Sequence, residues 1–184
     1  REVAPSRGLG DVYKRQSYRI KDFYTLFFYK YIQGVDTKDP HRWTHLSSSQ
    51  QVVSWQGFSF ELLCLMHLDE IKQALGIDRI LNDSSAWRSR QGGHGTQIDL
   101  VIERADRNIN ICEMKFSGTP YIINADYERR LRERIAIFRA ETATRCSTRM
   151  TMVTTYGVLP GKHSAIVDDE VTLDNLFTVT DDTK

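Results

Sequence analysis

Apolar and polar positions alternate most regularly between residues 97 and 115. Ile98, Leu100 and Ile102 alternate with Gln97, Asp99, Val101 and Glu103. After a polar stretch, Ile109 and Ile111 share a face with Glu113 and Lys115. A period of two is that of a β-strand. Residues 104–108 carry Asp and Asn where a turn favours them. The pattern predicts a hairpin in which charged side chains sit among residues that want burial. Keeping Asp99 opposite Glu113 on one face centres the turn on Asp106 and requires an odd loop length, unless a bulge intervenes.

The rest of the chain supplies flanking helices and strands. Residues 1–16 show no apolar period and read as a non-native lead, set aside from fold reasoning. Residues 22–33 are aromatic-rich and predict a helix capped by Asp22 and ended by Gly34. Residues 35–54, with Asp39-Pro40 and Ser47-Ser48-Ser49, read as a linker anchored by Trp43 and Trp55. Residues 57–75 predict a core helix closed by Gly76. Residues 80–91 predict a weakly patterned strand, and Gly92-Gly93-His94-Gly95 a tight turn without the lysine of a phosphate-binding loop.

Beyond the hairpin, residues 116–120 break the strand. Asn124 or Asp126 then caps a helix reaching about Thr142, with Tyr127, Leu131, Ile135 and Phe138 as its buried stripe. Residues 148–156 are β-branched and apolar, a strand. Residues 164–171 predict a further short strand or edge. Residues 172–177 predict a capped turn whose Leu173, Leu176 and Phe177 close the core, and residues 178–184 a polar tail. The order helix, three strands, helix, strand predicts an α/β fold of mixed α+β type with a small mixed sheet. Residues 17–54 form a helical extension before a domain at 55–184.

The 184 residues suit one domain plus an extension. Lys+Arg is 25 against 24 for Asp+Glu, so global charge makes no case for nucleic acid, and any such case must be local. The 3 cysteines, Cys64, Cys112 and Cys146, are far apart and lack metal-ligand spacing. They read as reduced thiols of a cytoplasmic protein. No apolar run has the length of a membrane span.

Chemistry concentrates in three acids and a lysine: Glu61, Asp99, Glu113 and Lys115. Glu61 projects between Leu65 and Leu68, inside an apolar arc of its helix. A carboxylate there reads either as a partly exposed residue favoured by the helix dipole or as one that meets a metal or a lysine. Asp99 and Glu113 on one face repel unless a cation joins them. Mg²⁺, or Mn²⁺, suits such an all-oxygen site, and the backbone carbonyl of Met114 can add a ligand. Lys115 could then orient or help activate a hydroxide for in-line attack on a phosphodiester. On the following helix, Arg129, Arg130 and Arg134 offer either a basic rim for phosphates or ordinary partners for Glu128 and Glu133.

Asp99 followed by Glu113-Met114-Lys115, in strand–turn–strand context after a helix bearing Glu61, resembles the PD-(D/E)xK nuclease superfamily. Its shared core is restriction-endonuclease-like, αβββαβ. The proline of the motif is replaced by Ile98. A broader resemblance runs through Tyr18-Arg-Ile-Lys-Asp-Phe23, Trp55-Gln-Gly-Phe-Ser-Phe-Glu61, Gln97-Ile-Asp-Leu-Val-Ile102, Cys112-Glu-Met-Lys-Phe-Ser117 and Val171-Thr-Leu-Asp-Asn-Leu-Phe177. These segments are similar to the C-terminal nuclease-like domain (the DUF234 type) of prokaryotic AAA+ ATP-binding proteins. The chain carries neither Walker motif. The resemblance implies a Mg²⁺-dependent nuclease acting on DNA, with upstream ATPase and winged-helix domains as partners. A homo-oligomer is left open, and no membrane association is expected. The competing expectation is an inactive nuclease-fold module that binds nucleic acid or protein.

Overall fold

A computed structural model describes residues 20–36, 39–89 and 96–178. The 1–16 lead, the 92–95 turn with His94, and the tail beyond Thr178 lie outside these residues. The chain divides into two compact units between Arg42 and Trp43. In the first, Asp22 caps α1 (Phe23–Phe27) by accepting from the Thr25 amide at 2.7 Å, and the helix continues as a π-helical turn over Phe28–Ile32. Gly34 follows at φ +71, the left-handed conformation that glycine adopts without steric cost.

The stretch read as a linker is largely helical. It holds α2 (Arg42–Ser47) and the first turn of α3 (Gln50–Met66). Ser49 is an N-cap, accepting from the Val52 amide at 3.4 Å. The serine run thus marks a helix start and not a loop. The single helix expected over 57–75 is two. His67 leaves helical geometry at φ −114, ψ 41, and α4 (Leu68–Ala74) restarts with Asp69 and Glu70 in its first turn, where the helix dipole favours acids. Gly76, at φ +66, closes α4.

Among the described residues, the second unit is built on a five-stranded mixed sheet in the order β1-β2-β3-β4-β5. The strands are β1 (Asn82–Arg88), β2 (Gln97–Arg104), β3 (Asn108–Lys115), β4 (Ser147–Thr154) and β5 (Asp169–Thr172). β1–β2 and β2–β3 are antiparallel, and β3–β4 and β4–β5 are parallel. A parallel neighbour needs a crossover, and α5 (Ala125–Thr142) between β3 and β4 provides it. The fold is α/β of mixed α+β type.

Each sheet face is covered. Val101, Ile109, Ile111, Met150 and Met152 pack with Tyr127, Leu131 and Phe138 of α5. Leu100, Ile102, Cys112, Met114, Val153 and Val171 pack with Phe60 and Cys64 of α3 and Ile71 of α4. Leu176 closes this second layer, in a 3₁₀ turn at Leu173–Phe177, but Phe177 remains 58% exposed. Its ring stands edge-on to His67 instead. On the α3/α4 side of β3, Asn110 is buried and donates to Thr151 Oγ1 at 3.0 Å and to Asp169 Oδ2 at 3.1 Å. One amide thereby joins three strands and pairs its own buried donors. Among the described residues, no helix is long and apolar enough to cross a membrane.

Candidate functional site

The β2–β3 hairpin sets the site. Leu100 pairs with Cys112 and Glu103 with Ile109, so Asp99 and Glu113 are the next residues of the two strands beyond the paired ladder. Ala105, Asp106 and Arg107 form the odd-numbered loop this register requires. Arg107 takes the left-handed conformation, φ 65, as the third position of such a loop demands. The simple alternation fails at one place. Ser85 pairs with Val101 and Trp87 with Ile98, so Ala86 alone faces both Asp99 and Leu100. This is a β-bulge, and it carries Ile98 to the α5 face, apart from Leu100 and Ile102. Bulges re-aim side chains, and this one lies at the acid of interest.

Glu113 is 3% exposed. On the α5 side of the central strand, its carboxylate is held by three donors. Tyr127 donates its hydroxyl to Oε1 at 2.9 Å, Lys115 Nζ lies 2.8 Å from the same oxygen, and Arg134 grips Oε2. Burial and then the Glu113 charge push the Tyr127 phenol upward, so it stays a donor. Burial alone would lower the Lys115 ammonium. The Glu113 carboxylate overrides it, with Asp99 adding, and holds the lysine above its ordinary value. Asp99 is half-buried. Burial, then Glu113, raises its carboxyl above the usual range despite Lys115 and Arg134. Among the described residues, Gln97 Nε2 donates to it at 3.4 Å.

Asp99, Glu113, Lys115 and Glu61 line one cavity of about 610 Å³ with Thr96, Gln97 and a face of α5. That face is Arg130, Glu133, Arg134 and Ile137, spaced as one helical stripe. Glu61 lies about three turns inside α3, too far from Gln50 for a dipole to explain it. Arg129 is not in the cavity. It bonds Glu133 at 3.0 Å and pairs with Asp126 at 3.6 Å. Met114 buries its side chain on the α3/α4 side, away from the cavity. Tyr127, read from sequence only as part of an apolar stripe, is a site residue. Its spacing to Arg130 and Arg134 along one helix edge is the signal that could have found it. The Arg130 guanidinium lies 5.3 Å from the Tyr127 ring centre.

The oxygens of Asp99 and Glu113 suit a small hard cation, and their mutual repulsion is what such an ion relieves. Among the described residues, no three acidic, histidine or cysteine side chains stand close enough to hold an ion together. Asp99 and Glu113 supply the paired carboxylates, and Glu61 lines the same cavity.

No family model matches the chain. No curated protein matches it either. Among solved structures, it is similar to the crystal structure of a protein of unknown function, AF1548, at 14% identity and a TM-score of 0.43. The likeness covers 62% of this chain, which spans 64% of that protein.

Proposed function

We propose that the second unit is a nuclease domain that hydrolyses phosphodiester bonds of DNA with Mg²⁺ or Mn²⁺. The observation that carries this reading is the meeting of Asp99 and Glu113, from adjacent strands, with Lys115 in a cavity walled by Arg130 and Arg134. Asp99 and Glu113 would hold the ion, with the Met114 carbonyl as a further donor. When bound, the ion supplies positive charge to the phosphate under attack and eases ionisation of the attacking water.

The chain's own side chains do the positioning. Tyr127 fixes the Glu113 carboxylate in one orientation. Lys115, with Nζ 2.8 Å from Glu113 Oε1, would orient the phosphate oxygens or the attacking water. Arg130 and Arg134 offer planar donor forks to phosphates. The sequence resemblance extends the proposal to a role beside an AAA+ ATPase and a winged helix in the full-length protein.

The test is cleavage of linear, supercoiled and single-stranded DNA by the purified chain, with and without Mg²⁺ or Mn²⁺. Cutting should require the ion and fall at least a hundredfold in Asp99→Ala and Lys115→Ala, with circular dichroism unchanged. Metal-dependent cutting that survives both substitutions would sink the assignment. A second reading, a non-catalytic nucleic-acid or protein-binding module, is favoured by the engagement of both Glu113 oxygens by protein cations. It predicts DNA binding without cutting, retained in Asp99→Ala and lost in Arg130→Ala.

A further inference from the structure

The two oxygens of Glu113 are held unequally. Oε1 takes two donors, Tyr127 and Lys115. Lys115 lies two residues along the same strand, and Tyr127 is buried in the α5 stripe. Tyr127 cannot leave without disturbing the core, and Lys115, on the same strand as Glu113, is also drawn by Asp99. Oε2 is held by Arg134 alone of the described residues. That side chain comes from the opposite wall on a long flexible stem and is 24% exposed. It also faces the cavity beside Arg130.

Charge balance makes this contact conditional. The cavity holds four carboxylates, Glu61, Asp99, Glu113 and Glu133, against three cations, Lys115, Arg130 and Arg134, and Asp99 and Glu113 are the acids nearest Lys115 and Arg134. A divalent ion entering between the carboxylates adds two positive charges and repels Arg134 from Oε2. The guanidinium then needs a new anion, and a phosphodiester drawn to the same excess charge supplies one. Arg130, one turn away on the same cavity-lining stripe, widens the receiving fork.

We propose that Arg134 is an exchangeable counter-ion: it occupies Glu113 Oε2 in the resting site and passes to a nucleic-acid phosphate when a divalent ion takes the carboxylate. Ion and phosphodiester therefore bind with positive coupling, each raising the affinity of the other by the same factor. This rests on the nuclease reading and adds to it an order of events. The ion alone binds weakly, because it must first displace an arginine. The ion with DNA binds well, because the displaced arginine is used.

The test reads Mn²⁺ affinity by electron paramagnetic resonance of the unbound ion, which needs no turnover. It compares the chain alone with the chain plus a phosphorothioate DNA oligonucleotide. In the unmodified protein, the oligonucleotide should tighten Mn²⁺ binding by about fivefold or more. Arg134→Gln should bind Mn²⁺ more tightly than the unmodified chain when DNA is absent, and lose the coupling. Arg134→Lys keeps the charge but not the fork and should restore part of it, which also covers a glutamine variant that folds poorly.

Equal Mn²⁺ affinity in the unmodified chain and Arg134→Gln, or coupling unchanged by the substitution, overturns the exchange while leaving the metal site standing. An unmodified chain whose Mn²⁺ affinity ignores DNA overturns it too. Absence of Mn²⁺ binding in every variant, with and without DNA, overturns the nuclease reading itself.

Discussion

Tyr127 donates its hydroxyl to Glu113 at 2.9 Å, and both groups are buried between α5 and the central strand. Hydrogen bonds to a charged group are worth about 1.5–3 kcal/mol. Tyr127→Phe keeps the ring and its edge-on contact with Tyr121. It should lower stability by about that amount, read as a shift in denaturant midpoint with unchanged m-value. A loss below half a kilocalorie would mean that Lys115 and Arg134 satisfy the carboxylate unaided.

Asp99 is the strained member of the acid pair. Burial, then Glu113, raises its folded-state carboxyl above the ordinary range. The folded chain therefore binds this proton more tightly than the unfolded chain does. Its contribution to stability is fully present below the ordinary aspartate range and is lost as pH rises through the elevated folded value. Asp99→Asn should accordingly melt higher than the unmodified chain at pH 7 in chelator, and show no advantage in acid. It should also lose cutting, since sites often hold groups that stability would discard. An unmodified chain that melts higher at pH 7 would show that Asp99 is already neutralised.

The two core cysteines should be silent. Burial pushes the thiols of Cys64 and Cys112 up to about 12, with no thiolate to attack a reagent near neutrality. Cys146 is half-exposed. A disulfide reagent at pH 8 should titrate one thiol in the native chain and all 3 after denaturation. Rapid reaction of a second native thiol would place a breathing motion in the α3 layer.

Arg107 bears the hairpin's conformational cost. A side chain in left-handed geometry costs on the order of 1–2 kcal/mol relative to glycine. Arg107→Gly should raise stability by about 1 kcal/mol without altering metal binding. Arg107→Val should lower it and weaken Mn²⁺ binding, because the loop fixes the register of the strands that carry Asp99 and Glu113. If Arg107→Val bound Mn²⁺ normally, that register would be held by the strands alone.

The hairpin and its acid pair were legible because a period of two leaves few registers. Glu113 and Lys115 share a face with two isoleucines, and burying Ile109 and Ile111 fixes them all. The Asn124 cap and the Tyr127–Leu131–Phe138 stripe were legible for the same reason, local chemistry agreeing with periodicity. The bulge at Asp99–Leu100 was not, because two-against-one pairing is a property of β1 and β2 together. Nor was the break at His67, where apolar residues continue on both sides and the backbone alone departs. Tyr127's second role was hidden by its first. A phenol in a buried stripe packs like a phenylalanine until its hydroxyl is seen to meet a carboxylate from another element.

Apart from Glu61, the residues lining the cavity run from Thr96 to Ile137 without a detour through the rest of the chain. The partners of Glu113 stand 14 and 21 residues away on α5 and two away on its own strand. The site is thus a contiguous cassette, written in one hairpin and the helix that follows. Nicking the surface turn at Gly161, or joining the ends elsewhere and reopening the chain there, would leave it covalently whole. A cut between β3 and α5 would leave the acids on one fragment and Arg130 and Arg134 on the other.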